Sequence, residues 1–94
     1  MLESTLQKQC IAHCKQVGAL AVKVDSTSSR GWPDLTVVLT NGVVLFVELK
    51  TKTGVVSAMQ QRMINKLERN RANVYVIRSI DEFKKLIITH TADR

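Results

Sequence analysis

The chain has 94 residues, enough for one domain with a modest hydrophobic core, and we expect a single domain over residues 1–94. Apolar residues make up 45% of it, which excludes a disordered tail, and no apolar run approaches the roughly 20 residues of a membrane span. Lys and Arg outnumber Asp and Glu by 14 to 8, and the resulting net charge of +6 favours nucleic acid as a partner over an uncommitted basic surface. The first ten residues carry an early acid and no apolar signal core, so we expect a cytoplasmic protein.

The first predicted element is an amphipathic helix over residues 3–17 that ends before Gly18. Cys10, His13 and Cys14 lie on it in the order Cys-x-x-His-Cys, and a zinc site built on them would need a fourth ligand. The rest of the chain supplies no second cluster of Cys or His, and both cysteines fall on the apolar stripe of the helix. We therefore interpret them as buried free thiols.

Three strands follow the helix. Residues 19–24 are apolar and β-prone, and residues 25–32 are rich in Ser and Gly, which indicates an exposed loop. Residues 35–39 and 43–50 read as strands joined around Asn41 and Gly42, a strong hairpin signal.

Two capping boxes mark the starts of the two remaining helices. Ser57 and Gln60 open a helix that extends to about residue 72, and Ser79 and Glu82 open another that extends to about residue 88. A strand over residues 73–78 lies between them. The order αβββαβα predicts an α/β fold, with one mixed sheet flanked by helices on both faces.

Two hairpin turns are compatible with the strand boundaries. A two-residue turn makes Asp34 face away from Glu48, whereas a three-residue loop, with Gly42 in the left-handed region, places Asp34 directly opposite Glu48. Each strand has one purely apolar face, and the three-residue loop brings these two faces to the same side of the sheet. We therefore predict the three-residue loop, because a slip of one residue breaks this match.

Opposed side chains in such a pair have β-carbons about 4.5–5.5 Å apart, so two partly buried carboxylates repel each other. A bound divalent ion relieves that repulsion, and oxygen ligands suit Mg²⁺ or Mn²⁺. Lys50 lies on the same face as Glu48 by strand periodicity. Two acids and an adjacent ammonium are the groups that phosphodiester hydrolysis needs. The alternative is an ordinary salt bridge at the end of a sheet, which explains the Glu-x-Lys triplet when it is considered alone.

The segments Gly-Trp-Pro-Asp at 31–34, Val-Glu-Leu-Lys at 47–50 and Ser-Ala-Met-Gln at 57–60 resemble the PD-(D/E)XK nuclease superfamily. Together with an early helical Glu, they are most similar to the virus-type replication-repair nuclease domain, VRR-NUC. The resemblance covers nearly the whole chain and implies a restriction-endonuclease-like core.

The resemblance also implies a metal site. Asp34 and Glu48 would be metal ligands, with the backbone carbonyl of Leu49 completing the protein's share. Glu3 matches the family's N-terminal acid, which supports the metal, often through water. Its alternative role is that of a favourable charge at a helix N-terminus.

Lys50 would be the catalytic lysine, and Gln60 matches a glutamine that the family places near the active site. The capping box already explains a Gln at that position of the helix. The two roles are compatible.

Five side chains are candidates for contacts with DNA. Arg30 suits a phosphate, and Trp32 either stacks on an unpaired base or packs in the core or at a dimer interface. Lys52 lies on the side of the site if its strand continues. Arg62 and Lys66 share a helix face with Arg69, and this stripe is either a phosphate-binding surface or an ordinary solvated one.

The resemblance thus implies a Mg²⁺-dependent, structure-specific DNA endonuclease, with Mn²⁺ able to substitute, that nicks four-way (Holliday) junctions or related branched DNA. We expect a homodimer, because resolving a junction takes two nicks related by a two-fold axis. The apolar runs at residues 55–56, 74–76 and 86–88 are candidates for its interface or for the core, and the sequence does not distinguish the two. We expect no organic cofactor and no membrane partner. The alternatives are a DNA-binding module without catalysis, a less selective nuclease, and a small adaptor whose acids only form salt bridges.

Overall fold

The seven elements follow one another in the predicted order αβββαβα. The computed structural model describes residues 1–25 and 30–92, so half of the predicted 25–32 loop, residues 26–29, lies outside the described residues. The helices and strands are α1 (Glu3–Val17), β1 (Leu20–Lys23), β2 (Leu35–Val38), β3 (Val44–Leu49), α2 (Ala58–Arg69), β4 (Asn73–Ile77) and α3 (Ile80–Thr91). The described elements therefore match the sequence prediction in type and order.

The four strands form one mixed sheet in the order β1-β2-β3-β4. β2 is antiparallel to both β1 and β3, whereas β4 is parallel to β3 and is reached through α2. A parallel pair needs such a crossover connection, because the chain must return to the same end of the sheet. The predicted mixed α/β sheet is confirmed.

The β2–β3 hairpin has the three-residue loop that its apolar pattern predicts. The Gly42 N–H donates to the Leu39 carbonyl and the Leu39 N–H donates to the Val43 carbonyl, both at 2.9 Å. Gly42 has φ +85°, the left-handed conformation that this loop requires. Val38 pairs with Val44 and Leu35 pairs with Val47, so one further step places Asp34 opposite Glu48.

The inner face of the sheet and two helices form the core. α1 contributes Leu6, Cys10 and Cys14, α3 contributes Phe83, Leu86 and Ile87, and the strands contribute Leu35, Val37, Leu39, Leu45, Val47 and Leu49. Both cysteines are free and buried. Burial raises the pKa of Cys10 to about 12 and that of Cys14 to about 11, so both remain thiols at neutral pH. The interpretation of these residues as buried thiols is confirmed.

Two helix ends and one cap differ from the prediction. α2 ends at Arg69 rather than near residue 72, because Arg71 adopts a left-handed φ of 62° that a helix does not tolerate. α3 continues to Thr91, past the predicted residue 88. The second capping box is only half formed. Ser79 accepts from the Glu82 N–H at 3.2 Å, but the Glu82 carboxylate accepts from the Arg78 N–H instead of that of Ser79.

The outer face of the sheet is covered unevenly. α2 packs against β4, while the outer sides of β1, β2 and β3 remain accessible. Leu20, Val22 and Val44 are 63%, 49% and 36% exposed there, and Val38 and Phe46 are half-buried between them. We call these five residues the outer apolar face. Over the described ranges, no helix is both long and apolar enough to cross a lipid bilayer.

Candidate active site

Asp34 and Glu48 meet where β2 begins and β3 ends. The hairpin register places them directly opposite each other on the outer face. One Asp34 carboxylate oxygen, Oδ2, accepts a hydrogen bond from the Leu49 N–H at 2.8 Å, which ties the aspartate to the strand that carries Glu48. The Asp34 carbonyl accepts from the Val24 N–H at 2.9 Å, so its backbone is held from the other side as well.

Glu48 is the one charged residue that the structure buries among the described residues, with 2% of its surface exposed. Its Oε2 accepts from the side-chain amide of Gln60 at 2.9 Å and lies 3.9 Å from the Lys50 ammonium nitrogen. The structure thus brings together four residues that the sequence singled out: Asp34, Glu48, Lys50 and Gln60.

Gln60 makes the site contact and the helix cap at the same time. Its backbone N–H donates to the Ser57 hydroxyl at 3.1 Å, and its Oε1 accepts from the Ser57 N–H at 2.9 Å. Its Nε2 remains free to donate to Glu48. A glutamine has a donor and an acceptor at the end of one side chain, so it performs both roles.

The electrostatics of this site are unbalanced. Burial, followed by the neighbouring Asp34 carboxylate, raises the pKa of Glu48 to about 8, while Lys50 opposes that shift. The single lysine therefore does not compensate the two acids. A divalent cation bound between hard oxygen donors would supply the missing positive charge, so these residues fit a Mg²⁺ or Mn²⁺ ion.

A cleft of about 210 Å³ opens beside this pair, lined by Glu3, Ser4, Gln7, Asp34 and Leu49. The first turn of α1 and the ends of the two strands thus line the same cleft. The negative charge of Glu3 contributes to the raised pKa of Glu48. Within residues 1–25 and 30–92, no three His, Cys, Asp or Glu side chains form a metal-ligand cluster. Glu3 is exposed at this cleft, on the helix that faces the strand ends.

Gly31 lets the loop before Asp34 contact the start of α2. A β-carbon at Gly31 would lie 2.5 Å from the Met59 carbonyl oxygen and 3.0 Å from the Gln60 nitrogen, and its φ is +81°. Both observations require glycine, because the neighbouring atoms are backbone and the conformation is left-handed. This contact sets the position of the Gln60 turn relative to the Asp34 strand. The sequence indicated a glycine in the motif but not this role.

Three of the five predicted DNA-contact residues lie together. Arg30, Arg62 and Lys66 line a second cleft of about 340 Å³ with Met59 and Met63. We call this the methionine cleft.

The other two candidates lie elsewhere. Trp32 packs edge-on against Phe46, with ring centroids 5.8 Å apart, and is half-buried. β3 ends at Leu49, so the strand continuation that would have placed Lys52 on the side of the site does not occur, and Lys52 lies in an exposed turn.

Arg78 is a residue that the sequence reasoning missed. Its Nη1 donates to the carbonyl oxygens of Thr51 at 2.8 Å and Gly54 at 2.6 Å, with that of Lys52 at 3.5 Å. These carbonyls belong to the turn that directly follows Lys50. The parallel pairing of β3 with β4 places Arg78 beside Lys50. Because that pairing joins strands that are distant in the sequence, the sequence alone gave no signal for the role of Arg78.

Three comparisons with known proteins show what this chain is similar to. The model of the VRR-NUC domain family matches residues 1–81. A solved structure of a VRR_NUC domain superposes with a TM-score of 0.82 and 32% sequence identity, covering 95% of this chain and 96% of that one.

A relative is the protein named "Putative nuclease p44" of Acyrthosiphon pisum secondary endosymbiont phage 1. It is 38% identical over 48 residues, which are 51% of this chain and 52% of that protein. The chain thus aligns with about half of that relative's length. The family match covers most of the chain, and the similar fold extends over almost all of it. This chain belongs to the VRR-NUC domain family.

Proposed function

We propose that this chain is a divalent-metal-dependent endonuclease that hydrolyses phosphodiester bonds in branched DNA, with four-way junctions as the preferred substrate. The observation that carries the proposal is the direct opposition of Asp34 and Glu48, with Lys50 and Gln60 in contact with Glu48. A purely structural ion pair between Lys50 and Glu48 does not account for the half-buried Asp34, which has no ion pair of its own among the described residues. The match to the VRR-NUC family supports nuclease activity.

The two carboxylates would hold the ion, with Mg²⁺ preferred and Mn²⁺ able to substitute. When bound, such an ion polarises a phosphate and makes a water molecule more acidic. The Leu49 N–H fixes the Asp34 carboxylate, and the Gln60 amide fixes the Glu48 carboxylate. The oxygen lone pairs that these hydrogen bonds do not use therefore point in a defined direction. The Leu49 carbonyl and Glu3, the latter through water, are the further donors beside the cleft.

Lys50 supplies positive charge to the reacting phosphate. In hydrolysis, a water oxygen forms a bond to phosphorus, the bond from phosphorus to one deoxyribose oxygen breaks, and the leaving oxygen takes a proton. Negative charge develops on the phosphate oxygens as this occurs. The Lys50 side chain is only 12% exposed, and a cation in such a low-dielectric position stabilises that charge more than an exposed one does.

DNA is the polyanion that the charge distribution favours. The net charge is +6, and three cations gather in the methionine cleft beside the helix that carries Gln60. Phosphate contacts of this kind dominate affinity and make it fall steeply with salt. A phage relative is named as a nuclease, which supports a setting in the cytoplasm of a bacterial or phage-infected cell.

The outer apolar face supports the homodimer. Leu20, Val38 and Val44 form one row across the strands, Val22, Thr36 and Phe46 form the next, and Asp34 and Glu48 lie one row beyond. Exposed apolar surface that continues to the edge of a site suits an isologous C₂ contact. Two sites brought close by such a contact would nick two strands of one junction.

The test uses cleavage assays on four-way junction, flap and linear duplex DNA, with Mg²⁺, with Mn²⁺ and with a chelator. We expect junction nicking that requires the metal and is abolished in Asp34→Asn, Glu48→Gln and Lys50→Ala. The two acid variants should still bind junction DNA, because affinity arises mainly from phosphate contacts. Binding without cleavage by the wild-type protein would instead identify a DNA-binding module. Equal cutting of linear duplex would leave a nuclease without structural preference.

A further inference from the structure

The methionine cleft combines two chemistries that rarely meet at a protein surface. Arg30, Arg62 and Lys66 provide three cations, and Met59 and Met63 provide an apolar lining between them. Met59 is 46% exposed, although a long apolar side chain would ordinarily be covered. The three cations alone would serve a phosphate, so the methionines call for a ligand with an apolar part as well.

The cleft is sized for one nucleotide. Its volume of about 340 Å³ lies at the low end of the roughly 300–1,000 Å³ typical of small-molecule sites. A duplex cannot enter such a space, because its bases are stacked and paired. One unstacked base with its phosphate can do so, with the base on the methionines and the phosphate among the cations.

Methionine suits this task. Its flexible, polarisable thioether makes favourable contacts with aromatic rings and adapts to rings of different shape. Arginine adds sequence-tolerant stacking and cation–π attraction to any base. The five lining residues include no Asn, Gln, Asp or Glu, the side chains that read the edges of adenine and cytosine. Arginine and lysine can read guanine, so in this assignment the three cations bind the phosphate or stack on the base instead of contacting its edge. Bound in that way, the lining accepts a base without selecting which one.

The cleft is joined to the proposed active site through α2 and the loop before Asp34. Gly31 lies between Arg30 and Trp32, and it packs so near the start of α2 that an added β-carbon would collide with the Met59 carbonyl. Met59 therefore lines the cleft while its neighbour Gln60 holds Glu48. A nucleotide in the cleft would therefore be near, along the DNA strand, the phosphate that lies at the two carboxylates.

We propose that the methionine cleft binds an unpaired nucleotide adjacent to the scissile phosphate, without regard to base identity. This inference rests on the proposed nuclease function and deepens it. Bases at a branch point are already partly unstacked, so they enter the cleft at a smaller cost than bases within a continuous duplex. Occupancy of the cleft thus provides a physical origin for preference for branched DNA.

The test is a thermodynamic cycle on junction binding. Asp34→Asn protein, which should not cut, is titrated with junctions that carry an abasic residue at successive positions around the nick site. The same series is repeated after adding Met59→Ala and Met63→Ala together. Met59→Ala alone serves as a second variant, because this residue is half-exposed and its removal should leave the fold intact. Arg69→Ala, on the same helix but outside the cleft lining, is the matched control for Arg62→Ala.

We expect one position, on one side of the nick, where loss of the base weakens binding roughly tenfold. That penalty should shrink to less than about twofold in either methionine variant, because the base then has no surface to lose. Arg62→Ala should weaken junction binding. Arg69→Ala should weaken it less and should leave the abasic penalty unchanged. The inference is overturned if no position shows a penalty, or if the penalty is the same with and without the methionines.

Cleavage by the wild-type protein, measured in parallel, separates the two ideas. Nicking with no abasic penalty would overturn the cleft proposal alone. A protein that cuts no DNA in Mg²⁺ or Mn²⁺ would overturn the nuclease proposal on which it rests.

Discussion

Asp34 and Glu48 face each other across the β2–β3 hairpin, and Gln60 reaches from α2 to hold the buried member of the pair at 2.9 Å. This opposition costs stability when no cation is bound, because two carboxylates share a site in which one is 2% exposed. The repulsion between the two carboxylates is relieved when a cation or a proton binds. The raised pKa of Glu48 results from this repulsion and from burial, and it makes the stability of the fold depend on pH.

Stability of the metal-free protein should fall as pH rises from about 4.5 to about 8. The ordinary pKa of Glu48 is 4.5 and the folded-state pKa is about 8. Within this window the folded form retains a proton that the unfolded form has lost, so rising pH favours unfolding by at most ~1.4 kcal/mol per pH unit. Urea denaturation at several pH values, with a chelator present, measures the slope.

Glu48→Gln is the control for this slope, because it removes the titrating group and nearly preserves its shape. The variant should show a much flatter profile over the same window. Added Mg²⁺ should stabilise the wild-type protein more at pH 8 than at pH 5, since protons and the ion compete for Glu48. Identical pH profiles for wild type and variant would contradict the burial argument.

The two roles of Gln60 can be separated by comparing it with Ser57. Ser57→Ala removes the helix cap but leaves the Gln60 amide free to donate to Glu48, so it should cost about 1 kcal/mol of stability and little cleavage rate. Gln60→Ala removes both contacts and should lower stability and cleavage together. Denaturation and single-turnover cleavage of the two variants decide this. Equal cleavage by both would confine Gln60 to capping.

Gly31 and Gly42 both have positive φ, but only Gly31 is enclosed. Gly31→Ala should destabilise the fold by about 2 kcal/mol or more, because its β-carbon would collide with backbone atoms of Met59. At Gly42 a β-carbon meets no described atom within 4 Å. Gly42→Ala should therefore be destabilised only by its left-handed backbone conformation, by about 1 kcal/mol. Thermal or urea unfolding ranks the two.

The same pair also tests the positioning role of Gly31. Gly31→Ala should slow cleavage more than its stability loss explains, since it displaces the turn that carries Gln60. Gly42→Val should be destabilised by roughly 1 kcal/mol or more but should cleave normally when folded. If Gly31→Ala is as stable and as active as Gly42→Ala, the close contact with α2 is unimportant.

Arg78 should act on the site through the turn that follows Lys50. Arg78→Ala frees the Thr51 and Gly54 carbonyls from their common donor, and we expect a roughly ten- to hundredfold slower single-turnover rate with little change in DNA affinity. The slower rate should persist at temperatures where urea denaturation shows the variant to be fully folded, because the arginine acts through the position of Lys50. A rate loss that disappears in the fully folded variant would indicate that Arg78 contributes only general stability.

The outer apolar face should mediate dimerisation. Val22→Lys puts a charge on the exposed edge-strand part of that face and should produce a monomer, whereas Val55→Lys, at a residue that is 81% exposed and away from it, should not. Light scattering across a concentration series measures the oligomer. A monomeric wild-type protein, or a dimer that survives Val22→Lys, would exclude this surface as the interface.

The interface candidates show how far the sequence alone reaches. Apolar runs at residues 55–56, 74–76 and 86–88 all suggested exposed surface or core without distinguishing them. The structure buries Val74, Leu86 and Ile87 and exposes Val55 and Ile88. The outer apolar face was not singled out, because a strand pattern with apolar residues on both sides does not reveal which side a helix will cover.

His90 gives the same lesson on a smaller scale. It carries no signal in the sequence, yet the Tyr75 hydroxyl lies 2.8 Å from its Nε2 and its carbonyl accepts from Asn41. These bonds tie the end of α3 to β4 and to the hairpin loop. They join residues up to 49 positions apart, a separation at which no local periodicity operates.

What the sequence determined by itself was local and periodic: the order of elements, the capping of α2, and a hairpin register that only one loop length satisfied. The opposition of Asp34 and Glu48 followed from that register, because strand pairing converts sequence spacing directly into position. Only the tertiary structure decided which distant elements meet. The packing of the Gly31 loop on α2, the hold of Arg78 on the turn after Lys50 and the gathering of three cations around two methionines all depend on how helices dock on the sheet. That docking is governed by the burial of whole faces, which no short stretch of sequence specifies.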